Sequence, residues 1–515
     1  MHRIYDIITL MRTTYQTPSA RPSSRSRGNG QRKNIIIITL IFLLTVGIVI
    51  FLLVQIVSKK IIIVPGTISY DDSLTESEKS FLKEKLADYR APEDITISAT
   101  TEPASFLANK SSNYIIYDTL LPVTNFYDAT SDISANEVEE YTLISASELS
   151  PAQKLLSIDG NYYFDDYQNG ALYRVLHFSS DSQSNLTDLL STSRNPRLSK
   201  EDILSVTQTG VTALTRRMLN TLNQVGDGAY FAKYVKDFLS SSDLTHISNE
   251  VSFANDCSIK DMTLCSDPRM FSAITAIGTD IVELTGNHNN DWGQNANLST
   301  IKMYDDNNIK TFGGGENEDD ASIPLNISEK GSNLTLIGIN HSTSSKANGQ
   351  GATMNGPGAN IYDAELTEKQ IEEAKSNGDF VIVDVQFSEC YSYPDEGQEM
   401  PECDYPISGQ ESFFRGLIDE GADMVVGTQA HQPQTYELYK DKPIYYGLGN
   451  LFFDQVYWPG TERSLILTHY FKDGKLLQTR ITPTMYGSTY QPQIMSVSEA
   501  KQFLNRLIEA SPRGK

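Results

Sequence analysis

The sequence of 515 residues predicts a layered α/β domain that follows a membrane-spanning helix and a smaller α/β region. Two observations carry this prediction. Short apolar runs alternate with amphipathic segments from about residue 201 onward, and one long apolar run occupies residues 35–57. Alternating strand and helix patterns are typical of sheets covered by helices. An apolar run of about 20 residues is long enough to cross the hydrocarbon core of a bilayer.

The first 60 residues differ from the rest of the chain in charge. They carry nine Lys or Arg and one acidic residue, which gives a net charge of +8. The whole chain has a net charge of −23, so the remaining residues carry −31. We interpret residues 1–33 as a disordered basic tail and residues 34–58 as a transmembrane helix, with the positive tail on the cytoplasmic side. A buried helix of a soluble domain is the alternative. The acidic body argues against nucleic acid as a partner, because phosphate binding needs Lys and Arg surfaces.

With this topology, the chain from about residue 61 onward is expected to be extracytoplasmic. The sequence pattern of residues 61–200 predicts a small α/β domain. Thr75 and Glu78 stand three residues apart before a helical pattern, a capping-box signature that predicts a helix within residues 73–89. Residues 114–126 predict a strand followed by a loop, and residues 161–178 predict short strands. No motif in this region points to a specific chemistry.

Residues 201–490 show the regular alternation, with a polar cluster after each of several apolar runs. Because ligands bind at the carboxyl ends of strands in open α/β sheets, we expect these clusters to meet in one place. The apolar runs are 203–206, 244–247, 281–284, 334–339, 380–385, 424–426 and 444–446. The amphipathic segments are 229–240, 267–279, 294–308, 364–376 and 409–420. The polar clusters are 210–216, 248–250, 286–293, 386–389, 427–431 and 447–450.

The end of the chain predicts a hairpin and a helix. The hairpin spans residues 468–483 and turns at Asp473 and Gly474, a pair that favours a two-residue turn. The helix spans residues 498–511 within a C-terminal segment, 491–515, that we expect to pack on the preceding domain.

Four cysteines lie in two local pairs, Cys257 with Cys265 and Cys390 with Cys403. Neither pair has the CxxC spacing of a zinc ribbon or a thioredoxin motif. Two short-loop disulfides fit an exported domain, and four free thiols are the alternative.

Several short motifs follow one another in the second half of the chain. They are Asn249-Glu250, Asn287-His288 with Asp291-Trp292-Gly293, Gly421-Ala422-Asp423 before a strand that leads to His431, and a block of Tyr446, Leu448, Gly449, Asn450, Phe453 and Asp454. With these motifs in this order, residues 201–490 resemble the bacterial capsule-synthesis family CapA, of the poly-γ-glutamate type.

The resemblance implies a fold and a chemistry. The family's fold is similar to that of calcineurin-like metallophosphoesterases, an α/β/β/α sandwich with metals at strand-end loops. Such metals activate a water molecule, and a nearby His protonates the leaving group. The matching positions are metal ligands at Glu250, Asn287 and His431, catalytic residues at His288 and Asp291, and substrate contacts at Arg216, Gln386, Gln429 and Asn450.

Three positions depart from the family. Val211 follows Gly210 where the family often has Asp, and Gln386 and Gln429 stand where it has His. An amide is a poor ligand for a first-row metal beside imidazole or carboxylate. We therefore expect a single divalent cation, Mg²⁺, Mn²⁺ or Ca²⁺, or no metal at all, rather than a metal pair.

The candidate residues also have purely structural explanations. Asn287 and His288 fit an Asn-rich turn, and Glu250 fits a solvated loop, although a carboxylate just after a buried run usually has a partner. His431 fits a hydrogen bond to a backbone carbonyl. Asn450, like Asp454, fits an Asx turn that holds its loop.

Three functions follow as hypotheses. The first is a single-pass protein of the cell membrane whose extracytoplasmic part acts in synthesis, export or tethering of an anionic capsule or envelope polymer, with the synthesis machinery as its partner. The second is an extracellular metal-dependent hydrolase of phosphoesters or polymer amides. The third is a non-catalytic polymer-binding module. The lost ligands favour the first and the third.

Overall fold

The computed structural model describes residues 44–49, 66–108, 113–179, 184–191, 198–260, 262–341, 348–390 and 401–513 of the chain. The predicted basic tail at 1–33 lies outside these residues, as does the predicted transmembrane helix at 34–58 except for residues 44–49, which are helical. Within the described ranges, no helix combines the length and apolar character needed to cross a bilayer.

The chain separates into two compact units. The first comprises residues 1–67 with 90–94, and in it the Gly66 N–H donates to the Ala91 carbonyl at 2.8 Å. The second comprises residues 68–89 and 95–515. All the candidate site residues belong to the second unit.

The first sheet of the second unit is mainly antiparallel, in the order β1-β2-β8-β3-β5, and β6 pairs with β3. The strands β4 and β7 form a separate two-stranded parallel sheet beside it. The elements of this part are β1 Ile68–Tyr70, α1 Glu76–Lys85, β2 Ile95–Pro103, β3 Tyr114–Asn125, β4 Asp132–Ile133, β5 Thr142–Ser145, β6 Gln153–Leu155, β7 Ser157–Ile158, β8 Leu172–Phe178 and α2 Ser184–Ser191. The helix α1 begins with the predicted capping box of Thr75 and Glu78. We call this sheet and its helices the small region.

Two details of the small region differ from the prediction. The strand β3 runs through the predicted loop to Asn125. Residues 161–166 form a turn rather than a strand, because the Tyr162 carbonyl accepts from the backbone N–H groups of Asp165 and Asp166, both at 2.9 Å. The Asp166 carboxylate then accepts from the Gln168 N–H at 3.0 Å, which closes an Asx-type turn.

Two larger sheets and the two-stranded antiparallel sheet of β13 and β16 make up the rest of the second unit. Their elements are β9 Leu204–Thr212, α3 Arg217–Val225, α4 Lys236–Leu239, β10 Leu244–Asn249, α5 Phe271–Ala276, β11 Thr279–Glu283, α6 Gln294–Asp306, β12 Lys310–Phe312, β13 Gly314–Gly315, α7 Glu318–Ala321, β14 Leu325–Glu329, β15 Ser332–Asn340, β16 Gly358–Ala359, α8 Ala364–Asn377, β17 Phe380–Gln386, α9 Gln410–Asp419, β18 Met424–Thr428, β19 Tyr436–Tyr439, β20 Lys442–Tyr445, β21 Asn450–Phe452, β22 Arg463–Lys472, β23 Lys475–Met485, β24 Gln493–Ile494 and α10 Val497–Glu509. Sheet I has the order β12-β11-β10-β9-β22-β23-β24, with β21 beside β9, and sheet II has the order β14-β15-β17-β18-β20-β19.

Sheets I and II pack face to face with helices on their outer faces. One buried cluster joins residues of both sheets, such as Ile281 of β11 and Ile382 of β17. Side chains alternate along a strand, so the neighbouring Val282 and Val383 point outward, into two separate clusters shared with helices. The mixed α/β prediction is confirmed, and the clusters show the four layers in the order helix, sheet, sheet, helix.

Most predicted elements of this part are present, and one helix is not regular. The segment 229–240 contains a 3-10 turn at Gly228–Tyr230 and the short α4, because Phe231, Ala232 and Val235 all turn into one core. The hairpin of β22 and β23 turns at Asp473 and Gly474, as predicted.

The direction of the strands determines where the polar clusters lie. The strands β9, β10, β11 and β12 are mutually parallel, and so are β15, β17, β18 and β20. The loops that leave the carboxyl ends of each set therefore gather at one edge of each sheet, which we call the rim.

The small region shares its core with sheet I. The ring of Phe164 stacks on that of Tyr470 in β22 with centroids 4.1 Å apart. The Gln478 side-chain amide of β23 donates to the Gln153 carbonyl at 3.0 Å. The small region is thus built onto the hairpin β22–β23.

Candidate functional site

The rim begins at a close approach between two backbones. The strand β9 ends beside β21, and a Cβ atom on Gly210 would stand 2.1 Å from the Gly449 carbonyl oxygen. Only glycine at position 210 permits this spacing. The approach brings Asn450, the first residue of β21, next to the loop that follows β9.

A His–Asp pair occupies the loop after β11. The His288 Nδ1 atom lies 2.7 Å from Asp291 Oδ2, and both side chains are mostly buried. The carboxylate is held on both oxygens, because the Leu264 N–H donates to Oδ2 at 2.9 Å and the Gln350 amide donates to Oδ1 at 2.8 Å. The Asp291 carboxylate therefore fixes the orientation of the imidazole.

The surroundings of His288 favour its charged form. Burial is the largest influence and lowers the pKa, but the hydrogen bond and charge of Asp291 and the charges of Glu250 and Glu389 outweigh it, so the pKa is raised. A positioned imidazole with a raised pKa can donate a proton to a leaving group.

Glu250 follows β10 and is fully buried. The partner expected from the sequence is absent: neither carboxylate oxygen has a hydrogen-bond partner among the described residues. Burial raises the pKa of Glu250 to about 8, His288 lowers it, and Glu389 and Glu283 raise it. The solvated-loop alternative is wrong, because no surface of this residue is exposed.

Side-chain amides form a chain across the rim. The Gln386 Nε2 group, at the end of β17, donates to Asn287 Oδ1 at 3.0 Å and to Gln429 Oε1 at 2.6 Å. The Gln429 Nε2 group then donates to Glu389 Oε1 at 3.2 Å. Gln429 has a φ of 76°, a backbone conformation that residues other than glycine rarely adopt. Strain of this kind persists where the surroundings hold it.

His431 follows β18 and contacts Asn450. Its Nδ1 atom lies 2.9 Å from Asn450 Oδ1, and the Asn450 amide donates to Gln455 at 3.0 Å and to the Thr461 carbonyl at 3.2 Å. Burial lowers the pKa of His431 to about 4, so this imidazole is neutral. The structure thus places Asn450 as the residue that orients His431, where the sequence suggested a substrate contact or an Asx turn.

Arg216 is engaged in an ion pair. Its Nη2 atom lies 2.6 Å from Asp454 Oδ1, and its Nε atom lies 3.0 Å from the same oxygen. The guanidinium also stands 4.9 Å from the centre of the Phe453 ring. An anion contact at Arg216 would therefore compete with Asp454.

The rim brings the candidate residues into one neighbourhood. Hydrogen bonds link Asn287, Gln386 and Gln429 directly, and electrostatic influence connects Glu250, His288 and His431 through Glu389. Arg216 contributes to the field at His431 as well.

The rim does not fit the two-metal centre that the sequence resemblance implies. Val211, at the position of the absent Asp, is buried in an apolar cluster with Leu264 and Phe453. The amides of Gln386 and Gln429 are bonded to each other rather than left as ligands. Among the described residues, the rim lacks the Asp at position 211 and the imidazoles at positions 386 and 429 that the family has for such a centre.

A second cluster of ionisable side chains lies between the sheets. His246 of β10, Glu283 of β11 and Asp384 of β17 are buried, and one ligand atom of each lies within 4.8 Å of the others. Among the described residues, this is the group of His, Cys, Asp and Glu side chains that could hold a metal ion. The polar loops gave no indication of this cluster, although a carboxylate inside an apolar strand such as DIVEL or FVIVDV is itself a signal.

Both disulfides are present, with the pairing that the sequence suggested. Cys257 bonds to Cys265 and Cys390 to Cys403. The first encloses the loop before Leu264, whose N–H donates to Asp291. The disulfide thereby supports the His–Asp pair.

Comparison with known proteins gives a consistent set of similarities. Residues 205–455 match the family model described as bacterial capsule synthesis protein PGA_cap. The chain is similar to the capsule biosynthesis protein CapA of Bacillus anthracis, with 24% identity over 321 residues, 60% of this chain and 74% of that protein. It is similar to the PGA biosynthesis protein CapA of Bacillus subtilis strain 168, with 24% identity over 288 residues, 55% of this chain and 72% of that protein.

Among solved structures, the chain is similar to the NAD nucleotidase NadN of Haemophilus influenzae. The TM-score is 0.32 at 10% identity, and the match covers 59% of this chain and 55% of that one. This similarity is too low to carry an argument.

Proposed function

Residues 205–455 belong to the bacterial capsule synthesis protein PGA_cap family, and from that premise we propose that the chain acts in synthesis or export of an anionic capsule polymer of the poly-γ-glutamate type. The names of the two Bacillus relatives support this proposal. We further propose that residues 34–58 anchor the chain in the cell membrane and that the second unit faces outward. The two disulfides support an oxidising location.

The observation that carries the proposal is the convergence of the motif loops around His288. The part of the chain that would bind an anionic polymer is itself strongly acidic. The net charge is −31 outside the first 60 residues, and −23 for the whole chain. Long-range attraction is therefore unavailable, and binding depends on local groups. His288, whose pKa is raised, supplies positive charge when it is protonated, and the Gln386–Gln429 hydrogen bond would have to open for these amides to bond a polymer of amide bonds.

The experiment uses the organism that carries this chain. Disruption of the gene should lower the acidic polymer at the cell surface, measured as glutamate released by acid hydrolysis of washed cells. Wild type and His177→Asn, a histidine of the small region, should restore it, and His288→Asn should not. Unchanged polymer in the disrupted strain would refute the proposal.

One observation favours a hydrolase as a second candidate. Glu250 has two unpartnered oxygens in a buried site and interacts with the charge of His288, an arrangement that can pass a proton between a carboxyl group and an imidazole. In this candidate, Glu250 and His288 exchange the proton that the leaving amine or alcohol requires, while Asp291 holds the imidazole.

Turnover distinguishes this candidate from a binding role. The purified full chain is incubated with poly-γ-glutamate and with p-nitrophenyl phosphate, with and without Mg²⁺, Mn²⁺ or Ca²⁺. Hydrolysis that His288→Asn abolishes would establish the enzyme. Binding of the polymer without release of fragments or nitrophenol would leave the binding role.

A further inference from the structure

Three fully buried side chains face one another below the rim. His246 is 1% exposed, and Glu283 and Asp384 are 0% exposed. They come from adjacent strands of sheet I and from sheet II, on the faces that the two sheets turn toward each other. Ionisable groups are almost never fully buried unless they are paired or bind a metal.

Each carboxylate has one oxygen held and the other bare. The Gln208 amide donates to Asp384 Oδ1 at 2.6 Å, and the Thr285 hydroxyl donates to Glu283 Oε1. Asp384 Oδ2, Glu283 Oε2 and His246 Nε2 have no hydrogen-bond partner among the described residues. Protein donors that hold one oxygen and leave the other for an ion are a regular feature of metal sites.

The spacing of His246 Nε2 and Asp384 Oδ2 excludes a hydrogen bond between them and leaves room for an ion. His246 Nε2 lies 3.9 Å from Asp384 Oδ2, which is too long for a hydrogen bond. Two ligands of a tetrahedral zinc ion, each at about 2.1 Å, stand about 3.4 Å apart, so His246 Nε2 and Asp384 Oδ2 would approach each other by about 0.5 Å to share one ion.

Charge leads to the same conclusion. Two carboxyl groups and an imidazole are enclosed together in the core of the sandwich. A divalent cation balances both carboxylates and uses the neutral imidazole as its third ligand.

We propose that His246, Glu283 and Asp384 hold one divalent first-row transition-metal ion, zinc or manganese, which joins sheet I to sheet II. Imidazole together with carboxylate oxygen suits both metals. The three side chains are fully buried, so we assign the ion a structural role, and its presence does not depend on the function proposed for the rim. It supports the rim from below, since the Thr285 hydroxyl that holds Glu283 also lies 3.4 Å from Gln386 Oε1.

The metal content of the purified full chain tests this proposal. Wild type should contain one equivalent of zinc or manganese by inductively coupled plasma mass spectrometry. Glu283→Gln and Asp384→Asn each replace a ligand oxygen at nearly constant volume and should reduce the content at least tenfold. Glu250→Gln is the matched control, a buried carboxylate at the rim, and should retain the full equivalent.

A second measurement covers variants that do not fold. Wild type is refolded from denaturant with EDTA and then with ZnCl₂ or MnCl₂, and the metal should raise the melting temperature and bind at one equivalent. Wild type that refolds to the same melting temperature with and without metal, and holds none, would overturn the proposal. So would loss of the ion in Glu250→Gln with retention in Glu283→Gln, because the ion would then lie at the rim.

Discussion

Replacement of Glu250 by Gln should change the pH dependence of stability in a defined direction. The side chain is fully buried and both oxygens lack hydrogen-bond partners among the described residues. Burial raises its pKa from 4.5 to about 8. Between these two values the folded protein keeps the proton while the unfolded chain has lost it. The free energy of unfolding of the wild type therefore falls as pH rises through this window.

The size of the effect follows from the shift. One pKa unit corresponds to about 1.4 kcal/mol, so the change from 4.5 to about 8 amounts to roughly 5 kcal/mol at most. Water penetration and relaxation of the rim reduce this figure, and we expect about 3 kcal/mol. Gln has nearly the same shape and no proton to lose. Glu250→Gln should match wild type at pH 4.5 and exceed its stability by about 3 kcal/mol at pH 9.

The assay is urea unfolding of both proteins at pH 4.5, 7 and 9, with circular dichroism as the signal. The two proteins differ in one side chain, so the difference between them reports Glu250 together with its influence on the pKa of His288. A difference that stays constant across the three pH values would refute the reasoning, because it would mean that the carboxylate is ionised in the folded protein throughout.

Three further predictions concern the same part of the molecule. Asp291→Asn removes the charge that opposes burial, so the pKa of His288 should fall, which NMR titration of the imidazole Cε1–H signal measures; an unchanged titration would contradict the role of Asp291. Cys257→Ser leaves Cys265 unpaired and opens a loop with a sequence separation of 8, so unfolding by urea should become easier by about 2–3 kcal/mol, whereas an unaltered midpoint would show that the disulfide contributes nothing. Gly210→Ala places a Cβ atom 2.1 Å from a carbonyl oxygen of the neighbouring strand and should lower the melting temperature by at least several degrees; a variant as stable as wild type would show that β21 can move away.

The fold was largely predictable because its signals are local. The apolar runs became strands, and the Thr75 capping box and the Asp473-Gly474 turn appear where the sequence placed them. One failure came where local hydrogen bonds prevailed over composition. Residues 161–166 have the composition of a strand, yet hydrogen bonds accepted by the Tyr162 carbonyl and the Asp166 carboxylate close a turn.

The position of the rim was predictable from the direction of the strands, whereas the side-chain pairs within it were not. Parallel strands deliver their loops to one edge, so the neighbourhood of His288 and His431 followed from the order of the motifs. Sequence alone does not show that Arg216 pairs with Asp454, 238 residues away, or that Asn450 orients His431. Such pairings depend on which loops face each other across two sheets.

The buried cluster of His246, Glu283 and Asp384 was not predicted, for a different reason. Its side chains lie within strands, whereas the prediction of a site rested on the loops that follow strands. Glu283 and Asp384 stand among Val and Ile residues, where a charged side chain costs free energy unless it has a partner. A search for carboxylates within apolar runs would have found both of them, although not their proximity to His246.

The contact between the small region and the hairpin β22–β23 has a consequence for the order in which the chain is completed. Gln153 and Gln478 are 325 residues apart, and at roughly 5–20 residues per second the ribosome needs about 16 to 65 s to synthesise that interval. During that time the aromatic surface around Phe164 has no Tyr470 to cover it. The newly synthesised sheet of the small region is then an aggregation-prone intermediate. A chaperone that binds exposed aromatic rings during synthesis would raise the yield of correctly folded chain more than one that acts after the chain leaves the ribosome.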